Sequence, residues 1–278
     1  MGKIFDALER HKKEKSINAE RLSIGESRNR IREVPKPSPV PETFINNGFS
    51  PKLLVLSAPD SLDAENFKVL RSQILFPKNG TKPRTIMVTS VFPGEGKTFL
   101  ASNLAVSIAL GINEHVLLID CDLRRPNIHK MFGYSNSEGL HEYLTGTRKL
   151  PDLLIRTNIE KLTLMTGGSS PPNPSELLSS ANMREFLREV RDRYQDRFII
   201  IDAPPSQVAA EANVLAKYVD GIILVVMAQK SPRETIQRAI ENLGKQKILG
   251  IVFNGYSQSY KSYGKYYKKY YGKKYGVS

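Results

Sequence analysis

Three short runs in this chain carry residue types suited to phosphate chemistry. The first is Pro93-Gly94-Glu95-Gly96-Lys97-Thr98, followed by Phe99. Glycines let backbone N–H groups turn toward phosphate oxygens. A lysine reaches the β- and γ-phosphates, and a threonine hydroxyl ligates Mg²⁺. The second run is Leu118-Ile-Asp120-Cys121-Asp122-Leu-Arg124-Arg125-Pro126, and the third is Ile200-Ile-Asp202-Ala-Pro-Pro205. Their carboxylates can hold Mg²⁺ directly or through water. The combination points to an ATP·Mg²⁺ site with Pro93 to Phe99 around the nucleotide, Lys97, Asp120, Asp122 and Asp202 as catalytic candidates, and Thr98, Asp122 and Asp202 on the metal. One departure is plain. The general G-x-x-x-x-G-K-T phosphate loop opens on glycine, and this chain has Val91 there. Arg124 and Arg125 would either neutralise charge during transfer or pair with acids. Cys121 reads as a small packed residue.

Such a site needs strands that deliver acids to one edge and a helix that starts at the glycines. Residues 84–90, 116–120, 162–165, 198–202, 221–227 and 248–253 read as strands; 60–76, 97–110, 181–194 and 232–245 read as helices. The run at 198–202 has no polar alternation and reads as buried on both faces, and 221–227 and 248–253 repeat that pattern. Buried strands alternating with helices imply an α/β fold, a mostly parallel sheet covered on both sides. Acids at the carboxyl ends of adjacent strands then meet in one crevice.

The chain has 278 residues, enough for one large α/β domain with extensions. A single cysteine rules out an internal disulfide and argues for a reducing, cytoplasmic setting. The longest apolar run, residues 222–228, is far shorter than the ~20 residues that span a bilayer. Membrane association would therefore be peripheral or through a partner. The organisation expected is 1–50 as a short helix (Ile4, Phe5, Leu8) and proline-rich linker, 51–255 as the α/β domain, and 256–278 as a tail. The net charge is +13, and the tail holds six lysines and no acid. It also holds eight of the twelve tyrosines: Tyr256, Tyr260, Tyr263, Tyr266, Tyr267, Tyr270, Tyr271 and Tyr275. With no Leu, Ile, Met or Phe it cannot bury a core. By composition it is a phospho-acceptor cluster, a binder of nucleic acid or another anionic polymer, or a solubilising tail.

The three motifs, the tyrosine-rich end, Asn173-Pro-Ser-Glu-Leu-Leu178 and the opening Lys3-Ile-Phe-Asp-Ala-Leu8 together resemble the bacterial tyrosine kinases of capsule and exopolysaccharide synthesis, over roughly residues 50–278. The resemblance implies a P-loop fold related to MinD and ParA. It implies an ATP- and Mg²⁺-dependent autokinase whose tail is the acceptor, in trans within an oligomer. Asp120 then matches the first Walker A′ aspartate, a base for the tyrosine hydroxyl, and Asp122 the second, near the metal. Asp202 matches the Walker B aspartate, and Asn254 an asparagine that contacts adenine. Glu65-x-x-Lys68-x-x-Arg71 is similar to the family's ring-forming Glu-x-x-Arg-x-x-Arg, with lysine in place of the middle arginine's bidentate fork. The implied partners are copies of the chain, a membrane-embedded polysaccharide co-polymerase that activates the kinase, and a protein-tyrosine phosphatase, with no nucleic acid. The implied location is cytoplasmic, at the inner face of the membrane through that partner. Two other readings stay open: a MinD/ParA-like positioning ATPase, which would carry a lysine where Phe92 stands, and a nucleotide-gated scaffold of an export complex.

Overall fold

The structure is a computed structural model that describes residues 48–77, 80–194 and 196–256, all within the unit Pro37–Ser278. The expected N-terminal helix and linker lie outside those residues, as do all tail tyrosines after Tyr256. The packed body reaches back to Phe49, whose ring sits edge-on to Phe132 with centroids 6.1 Å apart.

Seven strands form one sheet. In chain order they are β1 (Thr85–Ser90), β2 (His115–Asp120), β3 (Ile155–Arg156), β4 (Leu162–Met165), β5 (Arg197–Asp202), β6 (Gly221–Met227) and β7 (Ile248–Asn254). Their spatial order is β3-β4-β2-β5-β1-β6-β7. Every neighbouring pair is parallel except β3 with β4. The interior strands are apolar throughout because both faces are covered, and the two-residue period splits their side chains between two cores. Ile86 and Val88, Val116 and Leu118, and Phe198 and Ile200 enter one layer; Met87, Leu117, Ile119, Ile199 and Ile201 enter the other.

The first layer is roofed by α1 (Leu54–Ser57), α2 (Leu62–Leu75) and α3 (Lys97–Ala109). Helix α2 starts where Ser61 accepts the N–H of Ala64 at 3.1 Å, with Asp63 and Glu65 in its first turn. Helix α3 lies against the sheet on fully buried Ala101, Ala105, Leu104 and Ile108. Burial of a leucine or isoleucine of this kind contributes about 1.5–3 kcal/mol. The second layer is closed mainly by α8 (Ala181–Arg193), with Met183, Phe186 and Val190 inward and Ser180 as its N-cap. Short helices α4 (Ile128–Phe132), α5 (Leu140–Leu144), α6 (Leu150–Leu153), α7 (Pro174–Leu178) and α9 (Ala210–Leu215) and the longer α10 (Arg233–Leu243) complete the body. In the Asn173-Pro-Ser-Glu-Leu-Leu178 run, Pro174–Leu178 form the single-turn helix α7 with Pro174 at its start.

One expectation is overturned. Strand β7 is not covered on both faces: Leu249 is 47% exposed and Phe253 61% exposed. The reason is position. β7 is the edge strand, so one face of its apolar run has no covering helix among the described residues.

Candidate active site

Parallel register brings the chemistry together. Asp120 at the end of β2 stands level with Asp202 at the end of β5, and β1 runs beside β5 into the phosphate loop. In that loop Gly94 and Gly96 take φ of +82° and +95°, a region open to glycine and strained for other residues. Gly96 is also the N-cap of α3, and no side chain caps that end. The first-turn N–H groups and the helix dipole are therefore available to an anion. A Cβ on Gly96 would collide with the side-chain amide of Asn254. Val91, which replaces the usual first glycine, is fully buried in the core.

Glu95 does not face the nucleotide side. Its carboxylate is fully buried and accepts the N–H of Phe92 at 2.7 Å, the N–H of Met227 at 3.1 Å and the hydroxyl of Ser231. It staples the loop to the end of β6. Asn254 supports the loop from below: its Nδ2 donates to the Glu95 carbonyl at 2.9 Å.

Lys97 lies among the acids. Its Nζ is 2.8 Å from Asp122 Oδ2 and 3.4 Å from Asp202 Oδ1. The hydroxyl of Thr98 donates to Asp202 Oδ2 at 2.6 Å. Burial alone would lower the lysine's pKa, but Asp202 and Asp122 outweigh it and hold the ammonium well above its ordinary range. Asp202 is pushed up by burial, against the pull of Lys97 and the Thr98 hydroxyl. Asp120 is pushed up to about 7, first by burial and then by Asp202, with the Ile128 N–H and Lys97 opposing. The thiol of Cys121 is raised by burial among these carboxylates and is inert packing.

The two aspartates flanking Cys121 differ. Asp120 Oδ2 accepts the N–H groups of Asn127 and Ile128, each at 2.9 Å, and Oδ1 accepts that of Asp122 at 3.2 Å. Asp120 thus fixes the turn from β2 into α4. Asp122 lines a cleft of about 770 Å³ together with Gly94, Gly96, Lys97 and Thr98. Arg124 also lines that cleft but is clamped from outside it. Its guanidinium meets the buried Glu211 carboxylate at 3.0 and 3.1 Å and the Ser175 hydroxyl at 2.7 Å, and Ser175 donates to Glu211 at 2.8 Å. The clamp joins the turn after β2, α7 and α9. Sequence reasoning singled out neither Glu211 nor Ser231, because each matters only through a partner far away in the chain.

The residues fit magnesium. A hydroxyl and a carboxylate oxygen within 2.6 Å are hard donors, and Mg²⁺ needs few protein ligands when phosphates supply the rest.

Phe99 lines the same cleft as Asp122 and also a second groove of about 450 Å³ with Asn254 and Tyr256, and its ring sits edge-on to Phe67 at 5.8 Å. The expected assembly residues share α2. Lys68 pairs with Glu65 at 3.0 Å, and Arg71 turns inward to the Ser107 carbonyl at 2.7 Å. Among the described residues no helix is long and apolar enough to cross a membrane.

Fold and site together define a P-loop NTPase of the ParA and MinD class. The family model described as "ParA: NUBPL iron-transfer P-loop NTPase" matches residues 82–277. The septum site-determining protein MinD of Pyrococcus horikoshii OT3, solved with Mg-ADP, is similar at a TM-score of 0.50 and 25% identity, covering 63% of this chain and 72% of that one. A narrower likeness runs to kinases. The tyrosine-protein kinase YwqD of Bacillus subtilis (strain 168) is 36% identical over 215 residues, 76% of this chain and 90% of YwqD. The kinase domain of the Escherichia coli tyrosine kinase ETK matches at a TM-score of 0.67 and 32% identity, over 75% of this chain and 83% of that one. The chain belongs to the bacterial tyrosine-kinase family within this class.

Proposed function

We infer that this kinase transfers the γ-phosphoryl of ATP to tyrosines of its own 256–278 segment, in trans within an oligomer, and that it does so in the control of capsule or exopolysaccharide assembly. The observation that carries the reading is the convergence of Lys97, Thr98, Asp122 and Asp202 at one edge of the sheet, in a sequence whose residues 256–278 hold eight tyrosines.

The loop N–H groups at residues 94–98 and the α3 terminus bind the phosphates. Lys97, freed from Asp122 as the phosphates arrive, stabilises charge on the γ-phosphoryl. Thr98 and Asp202 would hold magnesium, with Asp122 beside them. When bound, magnesium would supply charge neutralisation to the phosphates. The tyrosine hydroxyl enters by the open cleft, whose lining includes the Asp122 carboxylate. Asp120, its carboxyl raised by burial and by Asp202, is assigned as the proton acceptor. Its three backbone N–H partners mean that accepting a proton also loosens the turn it fixes. If the transition state is loose, orientation of the hydroxyl matters more than base strength. Asn254 and Phe99, on the groove flank, are assigned to the adenine side.

The 23 residues of the tail span at most ~75–80 Å extended, enough to enter a neighbour's cleft. Glu65, Lys68 and Arg71 on α2 are assigned to the contact between copies. The assigned setting is the cytoplasmic face of the membrane, reached through a membrane-embedded co-polymerase, with a tyrosine phosphatase resetting the tail.

The test is incubation of the purified full-length chain with ATP·Mg²⁺ and mapping of phosphotyrosine by mass spectrometry. Phosphate on the tail tyrosines is expected, with at least a hundredfold loss in Lys97→Met and Asp120→Asn. ATP hydrolysis with no tyrosine phosphate would favour a positioning ATPase; nucleotide binding with no turnover would favour a scaffold.

A further inference from the structure

The cleft carries positive charge beyond the cations that are paired with acids. Five cationic side chains line it. Lys97 is neutralised by Asp122 and Asp202, and Arg124 by Glu211. Lys52, Arg125 and Lys130 remain, and among the described residues none of their side chains has an ion-pair or hydrogen-bond partner. All three are exposed.

These cations come from two stretches of chain, Lys52 from one and Arg125 and Lys130 from the other, and each backbone is pinned. The Lys52 carbonyl accepts the buried Asn103 side chain at 2.9 Å. The Arg125 carbonyl accepts Asn127 Nδ2 at 2.8 Å, and its N–H donates to Asp122. Lys130 sits on α4, which is tied to the Lys52 segment by the Ser50 N–H on the Met131 carbonyl at 2.9 Å and by the ring contact of Phe49 with Phe132. Fixed backbones with unpaired heads make a preorganised anion site.

The proposed substrate has the wrong charge for such a site. Residues 256–278 carry six lysines and no acid. Like charges raise the cost of bringing the unmodified tail to the cleft. Each phosphotyrosine adds ~1.5–2 negative charges and three acceptor oxygens. The tail tyrosines recur at spacings of one, three or four residues, so an acceptor tyrosine always has another within ~15 Å of extended chain.

We propose that Lys52, Arg125 and Lys130 form a docking site for a phosphotyrosine already made, which holds the tail in the cleft while a neighbouring tyrosine is modified. Modification then accelerates itself: the first phosphate is the slow one, and later ones follow within the same encounter. The inference rests on the autokinase reading, and its first test does not need catalysis.

That test is binding of a synthetic peptide of residues 256–278, unmodified or with one phosphotyrosine at Tyr270, to the full-length Lys97→Met chain with saturating ADP·Mg²⁺ in the phosphate loop. The phosphopeptide should bind at least tenfold more tightly, with the preference shrinking as salt rises. Lys52→Ser/Lys130→Ser should abolish the preference, and Lys52→Arg/Lys130→Arg should keep it. Equal binding of the two peptides, or a preference that survives the serine pair, overturns the proposal. So does a tenfold loss of ADP·Mg²⁺ affinity in the serine pair, which would give these cations to the nucleotide. The second test is intact mass at half conversion of the phosphatase-treated wild type. Unmodified and heavily modified chains should dominate, and the serine pair should give a single binomial spread. A binomial spread in the wild type overturns the proposal while leaving the kinase reading intact; absence of any phosphotyrosine would instead remove that reading.

Discussion

Glu95 sits in the middle of the phosphate loop yet turns its carboxylate to Phe92, Met227 and Ser231. Its work is to hold the loop shape in which Gly94 and Gly96 present their amides. Glu95→Ala leaves two half-buried N–H groups without an acceptor, and a hydrogen bond to a charged group is worth about 1.5–3 kcal/mol. Chemical denaturation should show a loss of about 2–4 kcal/mol, and titration calorimetry a weaker ATP affinity. Glu211 makes a pH-dependent case. Burial alone would raise its pKa, but a backbone N–H, the Ser175 hydroxyl and Arg124 hold it below the ordinary range. A carboxyl depressed in the folded state contributes stability above its unfolded pKa and loses it as pH falls through the folded one. The stability difference between wild type and Glu211→Gln should therefore be full at pH 7 and shrink below about pH 4. Denaturation curves at both pH values check the sign. Lys97, Thr98 and Asp202 were legible in the sequence because their roles follow from local spacing at a strand end or helix start. Glu95 and Glu211 were not, since their partners lie up to 136 residues away and only the fold selects them.

At the scale of elements, the site depends on α3 lying close to the sheet. Ala101 and Ala105 are fully exposure-free and belong to the same core layer as Val88 and Ile200. Small residues permit that approach, and a larger side chain must push the helix outward. Ala105→Leu should cost about 1–3 kcal/mol by overpacking, and because α3 carries Lys97 and Thr98 at its start it should also weaken nucleotide binding. Thermal denaturation with and without ATP·Mg²⁺ separates the two effects. The central strands could be read from their unbroken apolar runs, and the helix at 62–75 from the spacing of Leu62, Phe67, Leu70 and Ile74. The short helices α4, α5, α6, α7 and α9 could not, because four to six residues carry no period and are held by tertiary contacts. Strand β7 shows the limit from the other side. Its composition matches that of a central strand, and only sheet order reveals it as an edge with Leu249 and Phe253 uncovered.

At the scale of the whole molecule, the sheet delivers one nucleotide site to one edge, and the chain continues from β7 through Tyr256 into the lysine- and tyrosine-rich segment. ParA-class relatives share that sheet; the tyrosines and the likeness to YwqD and ETK separate this chain from positioning ATPases. Transfer between copies is tested most directly by mixing two defective proteins. One is Lys97→Met, which keeps its tail; the other keeps Lys97 but has all eight tail tyrosines changed to Phe. With ATP·Mg²⁺, neither alone should gain tail phosphotyrosine, and the mixture should place it on the Lys97→Met chains only. ADP release by the mixture with no phosphotyrosine on those chains would contradict phosphoryl transfer from this site to a partner's tail.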